Sequence, residues 1–287
     1  MENKTFKIRP YARLLTMLGE QLIKNEQIAL AELIKNSYDA DANWVKVSFV
    51  DFGDKMEIAN NSKIIIEDNG CGMSLETIEK SWMNPATPNK KVGKGEEKRT
   101  LAKNRVIQGE KGIGRFAILK LGRTITITTR LKDSNKEYVI DYDLSSYDDD
   151  FLTVAGQEKE LYIDDIAINV YSQQPTQIID REVIVNSQKY PENNHNGTKI
   201  EISNLKGEWS KRKIEDVNKE SQKLQSIFDK IFEKQSNDNF EIGFEVNNER
   251  ISVSDKTIEK LSNLFQNNAV LKVTNGKYKE KTDLNFF

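Results

Sequence analysis

Residues 32–40 read Glu-Leu-Ile-Lys-Asn-Ser-Tyr-Asp-Ala. They close a segment, Glu26 to Tyr38, in which Ala29, Leu30, Leu33 and Ile34 recur at helical spacing. On that helix Glu32 and Asn36 are four apart and share one face. A carboxylate can take a proton from water, and an amide oxygen one turn away can bind a hard cation such as magnesium. Taken alone, the pair is also what a solvated helix surface carries. Asp39-Ala40-Asp41-Ala42 marks the turn out of the helix. Val45 to Phe52 and Lys63 to Glu67, rich in β-branched residues, then read as strands.

Three further stretches carry chemistry. Glu67-Asp68-Asn69-Gly70-Cys71-Gly72-Met73 follows the second strand. Its Asp68 can present a carboxylate to a ligand's amino group. Gly70 and Gly72 let a ring approach the backbone, and Met73 can pack on an aromatic base. Asp-Asn-Gly is equally an ordinary turn. Gly109-Glu110-Lys111-Gly112-Ile113-Gly114-Arg115-Phe116 leads into the helical Gly112 to Leu121. Glycines before a helix bring N–H groups close to phosphate oxygens, where the helix terminus favours negative charge. The stretch is neither a P-loop nor G-x-G-x-x-G, because Gly114 is followed by Arg115 and Phe116 and no glycine stands three beyond it. Asn196-Gly197-Thr198 opens the strand Lys199 to Ile202, where the Thr198 hydroxyl can support a base through Asp68 or simply serve a β-branched strand position.

Between these stretches the pattern alternates. Ser74 caps a short helix over Leu75 to Trp82. Thr124 to Arg130 and Tyr138 to Tyr142 form a hairpin around Asp133-Ser134-Asn135, and Asp148 to Asp150 is an acidic loop. Ile178 to Val185 is a further strand candidate. Residues 83 to 111 carry Pro85, Pro88 and the run NKKVGKGEEKR, the composition of a surface loop. Glu208 to Lys234, with Leu224, Ile227, Phe228, Ile231 and Phe232, predicts an amphipathic helix, and Phe240 to Val246 a strand.

The 287 residues carry 43 basic and 45 acidic side chains, a formal charge of -2, with 37% hydrophobic residues. That balance argues against a generic nucleic-acid or anionic-membrane binder. Cys71 is the only cysteine, so no internal disulfide exists. No stretch approaches the ~18 apolar residues of a membrane span, and MENKTFKIRP lacks the apolar core of a secretory signal. A soluble, cytoplasmic protein is expected.

With its four motifs in this order, the chain resembles the Bergerat-fold (GHKL) ATPases. That group includes Hsp90-type chaperones, type II topoisomerase ATPase subunits, MutL, MORC and the histidine kinases. The resemblance spans roughly residues 15 to 205. It implies an α/β two-layer sandwich, a mixed β-sheet with helices on one face. It implies ATP and Mg2+ as cofactors. Glu32 matches the catalytic base, Asn36 the magnesium ligand, and Asp68 the reader of the adenine amino group. Gly70, Gly72 and Met73 match the wall around the base, Gly112 and Gly114 the triphosphate glycines, and Thr198 the threonine near adenine. Asp39 matches a pocket-lining position. Lys111, Ile113, Arg115 and Phe116 are candidates by adjacency, and residues of about 84 to 111 match the ATP lid.

Glu32 with Ser37-Tyr38-Asp39-Ala40 resembles the Hsp90, MutL and MORC branch. A histidine kinase is disfavoured, because the only histidine, His195, stands in a loop three residues before Thr198. The domain expectation is 1–205 for ATP binding, with 206–287 a helix plus the start of a transducer-like second domain cut short at TDLNFF. The functional expectation is Mg-dependent ATP hydrolysis as a conformational switch in a larger machine, slow in this piece. The implied assembly is a homodimer formed through amino-terminal regions on ATP binding. Further carboxy-terminal domains would supply a protein or DNA partner. The alternative is a nucleotide-gated structural or interaction module with little hydrolysis; a protein kinase ranks below both.

Overall fold

A computed structural model describes residues 7–15, 17, 23–84, 98–109, 114, 117–147, 151–176, 181–191, 195–224 and 240–251. All of them fall in one compact unit; a second, residues 227–234 and 254–287, lies outside the described residues.

Helix α1 is Glu26–Asp39. Asn25 caps it, its side-chain oxygen accepting the Ile28 N–H at 2.9 Å. Such a cap satisfies one of the first-turn donors and contributes ~1 kcal/mol. Ala29, Leu30, Ala31, Leu33, Ile34 and Ser37 are buried, so the stripe read from the sequence is the core face. The helix ends where Asp41 takes a left-handed φ of 58°.

The strands are β1 (Trp44–Phe52), β2 (Ile58–Asp68), β3 (Gly122–Arg130), β4 (Glu137–Asp143), β5 (Thr153–Val154), β6 (Gln157–Glu158), β7 (Asn169–Gln173), β8 (Val183–Val185), β9 (Gln188–Tyr190), β10 (Gly197–Leu205), β11 (Glu241–Val246) and β12 (Glu249–Arg250). Eight of them form one mixed sheet in the order β12-β11-β1-β2-β10-β3-β4-β7. The pair β1/β11 is parallel, and β1/β2, β2/β10, β10/β3, β3/β4 and β4/β7 are antiparallel. Helix α2 (Ala117–Leu121) and helix α3 (Lys211–Ser221) join α1 on the same face. Between those helices and the strands lies the core. It contains Leu30, Leu33 and Ile34 of α1, Ile118 and Leu121 of α2, Ile214 and Val217 of α3, and the alternating Val45, Val47, Phe49, Ile64, Ile66, Ile125, Ile127, Ile200, Ile202, Ile242 and Phe244 of the sheet. Each fully buried large side chain is worth ~1.5–3 kcal/mol relative to exposure. The opposite face mixes polar pairs with one small apolar cluster: Lys46 pairs with Glu245 at 2.9 Å, the Thr126 hydroxyl donates to Asp141 at 2.9 Å, and Trp44 packs with Val183 and Val185 of the β8–β9 hairpin. This is the expected two-layer α/β sandwich.

Some boundaries differ from the sequence reading. The predicted helix 208–234 begins at Lys211, where the Ser210 side chain accepts the Lys213 N–H. Its described part ends at Ser221 and tightens to a 3-10 turn, Gln222–Leu224; Ile227, Phe228, Ile231 and Phe232 lie outside the described residues. Its buried side is Ile214, Val217, Asn218 and Ser221. Ser74 caps a single helical turn, Leu75–Thr77, that widens into a π-helix, Ile78–Trp82. The described part of the predicted strand 178–185 is Val183–Val185. Beyond position 205, β11 pairs with β1, and α3 packs its buried side into the common core.

Candidate functional site

The site forms where α1 crosses the carboxyl end of β2. Asp68, the last residue of β2, pairs with Val45 on one side and Thr198 on the other. Ser37, on the turn of α1 after Glu32, donates its hydroxyl to Asp68 Oδ2 at 2.8 Å. The Gly70 N–H donates to Asp68 Oδ1 at 2.8 Å. Burial pushes the Asp68 carboxyl up to about 6, and the N–H groups of Gly70 and Thr198 with the Ser37 hydroxyl offset part of that rise. A carboxylate so held still has lone pairs for a further donor.

The loop after Asp68 is tightly supported. Asn69 Oδ1 accepts the N–H groups of Asn43 and Trp44 at 2.8 and 3.1 Å. The Asn196 amide donates to the carbonyls of Asn69 and Gly70 at 3.1 and 2.6 Å. Gly70 lies against Ala40, whose Cβ would stand 2.7 Å from an added Cβ. Gly72 has a φ of 69°, and a Cβ there would collide with the Arg130 carbonyl oxygen. The Met73 N–H donates to Thr129 Oγ1 at 2.9 Å, and Thr129 and Thr198 share a hydroxyl–hydroxyl bond of 2.9 Å. Met73 packs at the edge of the core.

The third motif meets the first. A Cβ added at Gly114 would stand 3.2 Å from Glu32 Oε2 and 3.9 Å from the Asn36 amide nitrogen. Glu32 Oε1 is bonded to Lys35 Nζ at 2.8 Å. Asp39 accepts the N–H of Gln108 on one oxygen (2.8 Å) and that of Gly109 on the other (2.9 Å). Lys111, Gly112, Ile113, Arg115 and Phe116 lie outside the described residues, as do 85–97 of the proposed lid.

Thus Glu32, Asn36, Asp39, Asp68, Gly70, Gly72, Met73, Gly114 and Thr198 gather around one end of α1. A family profile described as "Histidine kinase-, DNA gyrase B-, and HSP90-like ATPase" matches residues 24–170, about half of the chain. The chain belongs to this family. ATP binding follows from that membership. The match ends before Thr198, which reaches the site only through its pairing with β2 and β3. No curated protein matches the sequence.

Gly114 keeps the backbone bare beside Glu32 and Asn36, Gly72 lets the loop pass the Arg130 carbonyl, and Asp68 offers a carboxylate to a hydrogen-bond donor, features that suit a nucleotide. Among the described residues no group of three or more His, Cys, Asp or Glu side chains could hold a metal.

Several supporting residues escaped the sequence reading: Lys35, Ser37, Asn69, Arg105, Thr129 and Asn196. Lys35 and Ser37 sit inside the quoted motif, so helical spacing was available as a signal. Asn69 and Asn196 also sit inside quoted motifs, whereas Thr129 reaches the site only through strand register. No helix among the described residues is long and apolar enough to cross a membrane.

Proposed function

We propose that this domain binds ATP with Mg2+ and hydrolyses its β–γ bond, using the cycle as a conformational switch. The observation that carries the reading is the Ser37–Asp68 hydrogen bond at 2.8 Å. It ties the helix bearing Glu32 and Asn36 to the carboxylate suited to an adenine amino group. Asp68 and Thr198 would hold the base, with Gly70, Gly72 and Met73 around it. Glu32 Oε2, directed toward Gly114, would orient and deprotonate the attacking water. Asn36 would hold magnesium, which when bound offsets charge developing on phosphate oxygens. Lys111, Gly112, Ile113, Arg115 and Phe116 would complete the phosphate end.

A second reading, a nucleotide-gated module with little hydrolysis, is favoured by one observation: Lys35 occupies Glu32 Oε1. Single-turnover assays with magnesium separate the two. Glu32→Ala is expected to retain ATP binding and lose turnover, and normal turnover in that variant would refute the base assignment. The assembly would be a homodimer formed through amino-terminal regions on ATP binding. The expected setting is the cytoplasm, and a protein or DNA partner would name the machine's output.

A further inference from the structure

Two carboxylates stand at the wrong end of a helix. Asp39 is the last residue of α1, and Asp41 follows in the turn. The partial negative charge of a helix carboxyl terminus disfavours an anion there. Both are compensated by one segment, residues 98–109. Asp39 accepts the N–H groups of Gln108 and Gly109, one on each oxygen, at 2.8 and 2.9 Å. Asp41 accepts the Thr100 hydroxyl on one oxygen and the Ala102 N–H on the other, the latter at 2.9 Å.

That segment is itself braced. Arg99 and Val106 form an antiparallel bridge. The Thr100 N–H donates to the Arg105 carbonyl at 2.8 Å, and the Ile107 N–H to the Lys98 carbonyl at 3.0 Å. Arg105 is buried and donates to the Tyr38 carbonyl at 2.9 Å. Its guanidinium lies 4.4 Å from the Tyr38 ring centre and 5.1 Å from that of Phe240. A bonded and stacked guanidinium is a pre-organised anchor.

Gly109 opens the glycine motif, and Gly114 returns to Glu32 and Asn36 on the same helix. Both ends of this short piece therefore rest on α1.

We propose that Asp39, supported by Asp41 and Arg105, is a positioning residue that sets Gln108 and Gly109, where the glycine motif begins. It acts on the nucleotide's phosphates through Gln108 and Gly109 and leaves the base pocket alone. The proposal rests on the nucleotide reading above. It makes Arg105 a link between the glycine segment and Phe240, which leads into β11.

The test compares ATP with adenosine by calorimetry. Asp39→Ala removes both acceptors and is expected to weaken ATP about ten- to a hundredfold, with adenosine affinity unchanged within about twofold. Asp39→Asn keeps the volume and one acceptor, so its loss on ATP should be smaller; it also serves if the alanine variant fails to fold. Arg105→Lys should weaken ATP in the same selective way. Equal losses for ATP and adenosine, or no loss for ATP, would overturn the proposal. Asp68→Asn, run alongside, must weaken both ligands; if it weakens neither, the nucleotide reading itself fails, whatever Asp39 does.

Discussion

Replacing Asp68 with Asn should stabilise the protein while weakening ATP. The carboxyl is raised from 3.8 to about 6, chiefly by burial. A group that holds its proton more tightly when folded favours the folded state at low pH. Stability is therefore highest below about 4, falls as pH rises through about 6, and is level above. The interval between 3.8 and about 6 corresponds to ~3 kcal/mol at neutral pH. The introduced amide would keep the Gly70 N–H bond through its oxygen. Its nitrogen would face Ser37, whose hydroxyl can turn and accept. The Thr198 N–H also donates to this carboxyl, and the amide has one oxygen fewer to accept it, so the rise in Tm should stay below the ~6–12 °C that the full figure would give for a chain of this size. ATP, in contrast, loses a charged acceptor for its amino group, worth ~1.5–3 kcal/mol or about ten- to a hundredfold in Kd. Urea titrations at pH 4 and 7.5, with calorimetric binding at 7.5, read both effects. The gain should be confined to the higher pH. A variant less stable than the parent at pH 7.5, or equally stabilised at both, would refute the reasoning.

The parent's ATP affinity should fall by about the same ten- to hundredfold over the one to two pH units below 6 and then level off, because only the ionised carboxylate is a full acceptor, and the Asp68→Asn variant should lack that component. Ser37→Ala removes a hydroxyl that favours the charged Asp68, so the midpoint of that pH profile should move upward; an unmoved midpoint would count against the bond's role. Gly72→Ala places a side chain at a φ of 69° against the Arg130 carbonyl, and should cost ~1–3 kcal/mol or more by thermal denaturation. A Tm equal to the parent's would mean that the loop does not hold this backbone.

How much of this was legible beforehand depended on range. Helix α1 followed from apolar spacing over one segment, and its carboxyl end from the Asp39–Ala42 turn; the Asn25 cap emerged only from the structure. The hairpin of β3 and β4 was readable because its partners are neighbours in sequence. Strand β7, the pairing of β8 with β9 and the π-helix at Ile78–Trp82 were not, although β8 lies inside the strand expected over 178–185. β7 and β8–β9 are short and gain their order from what they pack against, and the π turn departs from the 3.6 period by one residue. The far strand β11 was anticipated as a strand. Its place beside β1, across almost two hundred residues, is set by pairing that no local period encodes.

The sequence by itself determined the chemical inventory: a carboxylate and an amide one helical turn apart, an aspartate before two glycines, a glycine run, and a threonine after Asn-Gly. It also determined their family, because four ordered motifs constrain more than any one. Only the tertiary structure decided which of them meet. Thr198 stands beside Asp68 because β10 pairs with β2, and Gly114 lies on Glu32 and Asn36 because that segment returns to α1. The same contacts turned Ser37, Thr129, Asn196 and Arg105 from ordinary polar residues into supports of the site. The physical reason is that chemistry belongs to side chains, which the sequence states outright. Proximity belongs to the sheet register and helix packing, which only the folded chain supplies.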